Sequence, residues 1–368
     1  MQIIKDTTQF QIDEPTAVAV GKFDGVHLGH RALLDLLFAQ KEKGLKTAVF
    51  TFDPSPGAYF AGIAQKSLHN IHSEDDWIIV RDERMERPHY RELMTREEKR
   101  LIFERMGIDY LVEYPFRAET AAVTPEDYVN RFLIDQMNAR LIVAGEDVSF
   151  GKNGAGDAEM LCNLVGTRAE VKIIPKICLD GRQISSTLLR SVVAEGNMEL
   201  ASRLAGDDFS IAGIVQKGNR IGRTLGMPTA NLYPSDDKLL PPNGVYFSKT
   251  VVYEKDDHRK IPELKTEKEM SRADATLNEI SKPGSRVFYG ITNIGCKPTI
   301  GEKHPRISVE TCLFDFDEDI YDCLIEVRLC HFQRKEQQFD GLDALKAQME
   351  RDAQACREYF ERNLNETY

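Results

Sequence analysis

Five apolar runs in the first 176 residues are continuous rather than alternating. They are TAVAVGKF (16–23), KTAVFTF (46–52), YLVEYPF (110–116), RLIVAGE (140–146) and AEVKIIPK (169–176). A strand with one wet face alternates apolar and polar residues, so a continuous run belongs to a strand covered on both faces. Helical patterns lie between the runs: one starts near His30, and the others are EEKRLIFERM, PEDYVNRFLIDQM and STLLRSVVAEG. This alternation predicts an α/β doubly wound parallel sheet. Ligands in such sheets sit beyond the carboxyl ends of the strands.

The pattern changes after about Gly206. FSIAGIVQKG, GVYFSKTVVY, VFYGITNIG, ISVETCLFDF and CLIEVRLCHFQR read as strands separated by turn formers such as Pro241, Pro242, Asn243 and Gly244. They predict a small closed antiparallel β-barrel. The C-terminal stretch has apolar residues at 342, 345, 349, 353, 356 and 360, the spacing of a helix with one buried stripe. Two domains follow, 1–206 and 207–368, with the boundary between 205 and 209. Residues 67–92, which contain His69, His72, Trp77 and His89, and residues 254–286 fit neither pattern. Both read as surface insertions or loops, and solvated histidines are favoured there over metal ligands.

Bulk properties exclude several classes. At 42% hydrophobic and 29% charged residues the chain has an ordinary globular balance. A formal charge of −11 argues against a general nucleic-acid binder, which carries a basic face. None of the seven cysteines forms a CxxC pair, which disfavours a disulfide framework or a zinc ribbon. The N-terminal MQIIKDTTQFQIDEP has no apolar signal core, and no run is long enough to span a membrane. A cytoplasmic location is expected; the oligomeric state, including a homo-oligomer, stays open.

The first strand ends in GKFDGVHLGH, Gly21 to His30. Gly25 and Gly29 let the chain turn tightly, and His27 and His30 share a face at a helix start. Free N–H groups at that helix terminus add positive potential, completing a cradle for a polyphosphate. TFDPSP (51–56), GEDVSFGKNGAGD (145–157) and ISSTLLR (184–190) follow later strands in order. Ser185, Ser186 and Thr187 can cap a helix or donate to phosphate, and Arg190 can pair with a phosphate.

The second half carries GNRIGRTLGMPTAN, Gly218 to Asn231, and the chain has no GxxxxGK[ST] loop. Gly218, Gly222 and Gly226 would let backbone amides surround phosphate. Thr229 and Asn231 face the same way on an extended segment and offer hard oxygen donors suited to Mg²⁺. GVYF (244–247), NIGCKPTI (293–300), VETCLFDFDEDIYD (309–322) and RKEQQF (334–339) follow.

The first set resembles the HxGH nucleotidyltransferases and, within them, the adenylyltransferase module of bacterial bifunctional riboflavin kinase/FAD synthetase. GRTLGMPTAN and its downstream segments resemble the riboflavin kinase module of the same family. The resemblance implies riboflavin, FMN, FAD and ATP as substrates and products, with Mg²⁺. It assigns His27 and His30 to the α- and β-phosphates of ATP, with Arg190 beside them. Gly21, Phe23, Asp24, Gly25, Gly29, Asp147 and the Ser185–Thr187 run would contact nucleotide or flavin. In the kinase half it makes Glu310 the general base and Thr229 and Asn231 the metal ligands. Gly218, Gly222, Arg223, Gly226 and Pro228 would contact nucleotide or flavin there, and Arg334 and Glu336 match an RxE motif. The family usually has His at the position of Ser55 and an aromatic residue at that of Val148. Two alternatives stay open: a kinase with a weak or inactive first domain, and a flavin-binding regulator without catalysis.

Overall fold

The structure, a computed structural model, describes residues 1–66, 90–218, 226–253, 285–297 and 306–365. His69, His72, Trp77, His89, Gly222, Arg223 and residues 254–284 lie outside the described residues. Two compact units are present, Met1–Arg190 and Ser191–Tyr368.

The first unit is built on a six-stranded parallel sheet. Its strands are β1 (Gln2–Lys5), β2 (Thr16–Val20), β3 (Lys46–Asp53), β4 (Tyr110–Pro115), β5 (Ala139–Gly145) and β6 (Glu170–Ile174), in the order β1-β4-β3-β2-β5-β6. All five residues of β2 are buried, as its unbroken apolar run requires. From β2 the chain winds one way through β3 and β4, then returns to lay β5 and β6 on the other side. The reversal opens a crevice at the carboxyl ends of β2 and β5. Helices α1 (Leu28–Phe38), α2 (Pro56–Lys66) and α3 (Arg96–Arg105) follow β2 and β3. The short α4 (Ala118–Ala121) follows β4. Next, α5 (Pro125–Asp127) runs on as wider turns over Tyr128–Gln136, where the Met137 N–H reaches back five residues to the Phe132 carbonyl. After β5 comes α6 (Ala158–Val165), and α7 (Ser186–Ala194) follows a small hairpin of β7 (Cys178–Leu179) and β8 (Arg182–Gln183). That hairpin turns on Asp180 and Gly181, both at positive φ, as an Asp-Gly pair favours. One face of the sheet packs Val18, Phe50 and Tyr114 with Phe132 and Leu133 in a buried core. Burying a side chain such as Phe50 contributes about 2–3 kcal/mol.

The second unit opens with α8 (Met198–Ala205), followed by β9 (Phe209–Ile214), β10 (Thr229–Leu232), β11 (Gly244–Val252), β12 (Arg286–Lys297), β13 (Arg306–Leu313), β14 (Leu324–Arg334) and α9 (Leu342–Asn365). The six strands form one antiparallel sheet in the order β10-β13-β12-β11-β14-β9. It curls until its edges meet at a bridge, the Gln216 N–H donating to the Asn231 carbonyl at 2.9 Å. Among the described residues the expected closed barrel is a curled sheet with one bridge at its seam. Helix α8 packs on β9 and β14, and Glu199 meets the His331 ring at 2.5 Å. Packing thus changes partner earlier in the chain than the sequence pattern does at Gly206.

The last helix covers the outer face of the sheet. Cys356 and Phe360 are buried with Val245, Phe247, Ile291 and Phe314, and Ala353 packs beside them. The stripe does not reach the start of the helix, because Leu342 is 57% exposed.

Candidate active sites

In the first unit, β2 gives way to a loop whose backbone is strained. Phe23 (φ 49°), Gly25 (φ 88°) and Val26 (φ 34°) all lie in the left-handed region. A β-branched residue there is an outlier that only dense surroundings hold in place. Phe23 and Val26 are fully buried, and a Cβ on Gly25 would come within 2.8 Å of both Leu93 and Leu189. The loop delivers His27 as the N-cap of α1, where its Nδ1 accepts the His30 backbone N–H at 3.4 Å. That fixes the neutral ring with its proton on Nε2, a donor. The His27 and His30 rings stack at 3.9 Å, and Phe23 packs on His30 at 4.9 Å. Gly29 keeps this stack open, since a Cβ there would sit 3.1 Å from the His27 ring; at Gly21 a Cβ would sit 3.2 Å from Phe23.

Electrostatics keep both imidazoles neutral. Burial pulls His27 down to about 4, against the opposing influence of Asp24 and Asp147. Burial pulls His30 well below its ordinary value too, and His27 and Lys99 add to the effect. His30 Nδ1 is buried with no hydrogen-bond partner among the described residues. Such an atom in a cradle is a ready point for a ligand oxygen.

Behind the loop lies a buried polar brace. Arg190 Nη2 donates to the Asp24 carboxylate and, at 2.7 Å, to the Tyr90 hydroxyl; Nη1 donates to the Arg91 carbonyl. The Met94 N–H donates to Asp24 at 3.3 Å, and the Ser186 hydroxyl donates to the Asp24 carbonyl at 2.8 Å. Arg190, expected to pair with a phosphate, is thus held by protein groups and fixes the loop. Ser185 accepts the Leu188 N–H and caps α7, while Thr187 is exposed. The described end of the segment read as an insertion, Tyr90 to Glu92, belongs to this wall: Arg91 is buried and Glu92 pairs with Lys99 at 3.3 Å. Asp147 is exposed, 3.6 Å from Lys176. Ser55 accepts the Ala58 N–H at the start of α2, and Val148 packs against the core.

An aromatic patch escaped the sequence reading. Phe52, Phe116, Tyr59 and Phe60 meet ring to ring at 5.3–5.7 Å beyond the carboxyl ends of β3 and β4. Phe60 is 45% exposed. Only the fold brings these four together, although Tyr59 and Phe60 directly after TFDPSP were a visible signal.

In the second unit, Glu310 on β13 lies opposite Asn231 on β10 and Asn293 on β12. Directly opposed residues share a face, so the three side chains form a row across the sheet. The Ser308 hydroxyl donates to Glu310 at 3.2 Å. Asn231 is buried, and its amide donates to the Thr229 carbonyl at 3.0 Å with the Thr229 hydroxyl 3.5 Å away. Thr229 and Asn231 thus stand side by side, as expected. Gly218 abuts the Asn231 amide so closely that any Cβ would collide with it. Gly226 (φ 77°) and Pro228 sit at the exposed entry to β10. Glu336 accepts from Asn293 at 3.3 Å and from Asn243 at 3.5 Å, which ties it to the same row. Arg334 points elsewhere: its guanidinium is clamped on Asp352 of α9 at 2.6 and 3.1 Å. Asn243 was read only as a turn former and Asn293 only as the start of NIGCKPTI, because spacing along the chain does not show which residues a sheet places beside Glu310.

Comparisons with known proteins match both halves of the chain. The FAD synthetase family model matches residues 9–188 and the riboflavin kinase model residues 205–360. Proteins described as bifunctional riboflavin kinase/FMN adenylyltransferase are similar over nearly the whole chain. That of Bacillus subtilis is 30% identical, covering 94% of this chain and 92% of its own length. That of Escherichia coli K12 is 30% identical over 94% of this chain and 93% of its own. A solved structure from Streptococcus pneumoniae, described as a macrolide-efflux protein, aligns with a TM-score of 0.69 at 26% identity, covering 97% of this chain and 98% of that one. Its description names transport, yet no helix among the described residues here is long and apolar enough to cross a membrane. Two family models in series, and relatives of one description along nearly the full length, show that this chain belongs to the bifunctional riboflavin kinase/FMN adenylyltransferase family.

Proposed function

We propose that residues 207–368 phosphorylate riboflavin to FMN and that residues 1–206 adenylylate FMN to FAD. The row Asn231–Glu310–Asn293 carries the kinase half. Glu310 takes the proton of the riboflavin 5′-hydroxyl as its oxygen bonds the γ-phosphorus of ATP, and ADP leaves. The oxygens of Thr229 and Asn231 fit Mg²⁺, which on binding supplies charge neutralisation at the phosphates. Gly218, Gly226 and Pro228 shape the approach of the nucleotide, and Glu336 holds Asn293 in the row.

The stacked His27 and His30 at the start of α1 support the adenylyl half. A phosphate oxygen of FMN attacks the α-phosphorus of ATP and pyrophosphate leaves. The imidazoles and the helix N–H groups stabilise the charge that develops. The flavin ring lies on the aromatic patch of Phe52, Tyr59, Phe60 and Phe116, where planar stacking is favourable. A cytoplasmic location accords with seven cysteines that are all free thiols.

The test is incubation of the purified chain with riboflavin, ATP and Mg²⁺, followed by chromatographic separation of the flavins. FMN appearing first and FAD after it is the expected result. FMN without FAD leaves the kinase alone, and binding of flavin with neither product makes the chain a flavin-binding regulator.

A further inference from the structure

Tyr90 borders the brace behind the His27–His30 loop, and nothing in the reaction as drawn above uses it. Its hydroxyl accepts a hydrogen bond from Arg190 Nη2 at 2.7 Å, and its ring lies 4.8 Å from the guanidinium carbon. The guanidinium therefore has an aromatic face on one side and the Asp24 carboxylate on its edge, a geometry that leaves it little freedom. Asp24 sits within the strained stretch of the loop, between Phe23 (φ 49°) and Gly25 (φ 88°). Strain of this kind persists only where neighbours over-determine it. Tyr90, Arg190 and Asp24 form a direct chain of contacts from the wall to the residues just before His27.

The pocket that receives the Tyr90 ring is built by small residues. A Cβ on Gly57 would lie 2.7 Å from Tyr90 Cζ and 2.8 Å from its hydroxyl oxygen. Ser55, which caps the same helix, lies beside the Tyr90 hydroxyl. A larger residue at either place would compete with the phenol for the space beside Arg190. Burial also raises the phenol to about 12, so it stays neutral and acts only through hydrogen bonds and its ring.

We propose that Tyr90 is a positioning residue for adenylyl transfer, acting through Arg190 and Asp24 to hold the loop that carries His27 and His30. The inference rests on the adenylyltransferase reading of the first unit. Its physical basis is the steep dependence of group transfer on the placement of the groups around the reacting phosphorus, where about 1 Å of misplacement costs on the order of 100-fold.

Two variants test it by different routes. Tyr90→Phe keeps the ring and removes the hydroxyl. Gly57→Ala leaves Tyr90 intact and pushes its ring off Arg190. Ala is favoured over Gly inside a helix by about 1 kcal/mol, so this change does not weaken α2 by propensity. In both, kcat for FAD formation from supplied FMN is expected to fall roughly tenfold or more, with KM for FMN within twofold of wild type. FMN formation from riboflavin by the same preparations is expected to be unchanged, and thermal unfolding to match wild type. A purely structural role would instead lower thermal stability and leave kcat per folded molecule unaltered. That outcome, or wild-type kcat in both variants, overturns the proposal. If the wild-type chain makes FMN but no FAD, the adenylyltransferase reading fails first, and this inference falls with it.

Discussion

Glu310 stands directly opposite Asn231 across the antiparallel pair β10–β13. The residue proposed to accept a proton and one proposed to hold the metal are therefore cross-strand neighbours. Their 79-residue separation in the chain is removed by sheet register alone.

Glu310→Gln keeps the shape of the row and removes the base. FMN formation should fall by about 10²–10⁴, while FAD formation from supplied FMN stays at the wild-type rate. Assaying both activities in one preparation checks this. A folded variant that loses both together contradicts the assignment of the two activities to separate units.

His30→Ala should do the reverse. Removing a donor aimed at developing phosphate charge is expected to lower FAD formation by about 10²–10³ and to leave FMN formation unchanged. Unaltered FAD synthesis would remove His30 from the chemistry.

Acid should weaken the first unit. Burial holds His27 at about 4 when folded, against 6.5 as its ordinary value, and holds His30 low as well. Between those two values the unfolded chain binds protons that the folded chain does not. The stability contributed by the neutral rings is therefore complete above 6.5 and is lost as pH falls toward 4. For His27 the full effect is on the order of 3 kcal/mol. Urea midpoints for the first unit's transition should drop from pH 7 to pH 5, and His27→Gln should flatten that drop.

Asp352→Ala should act on stability before chemistry. Asp352 is 2% exposed and neutralises the partly buried Arg334, so its removal leaves that guanidinium without its carboxylate partner, at a cost of about 1–3 kcal/mol. FMN formation should fail at a lower temperature than in the wild type and return on cooling. Thermal unfolding followed alongside activity checks this. Normal stability with no kinase activity would instead place Arg334 at the ligand.

The sequence by itself determined the two architectures and the local pairings within the candidate sites. Continuous apolar runs such as TAVAV suit strands buried on both faces, and their alternation with helical patterns implied the parallel sheet. His27 and His30, three residues apart after a strand, and Thr229 and Asn231, two apart on one, are local relationships that periodicity exposes. Tertiary structure decided whatever depends on long-range neighbours. Arg190 looked like a phosphate ligand because a guanidinium after a helix start suits one; only the fold shows Asp24 and Tyr90 holding it. Arg334 read as half of an RxE motif, and only the fold shows Asp352 of α9 against it. Tyr90 read as part of a charged insertion, yet it touches residues 55, 57 and 190. The aromatic patch joins Phe52, Tyr59 and Phe60 to Phe116, a partner more than fifty residues away. Contacts across such separations leave no period in the chain, because they are set by strand order and helix docking rather than by spacing.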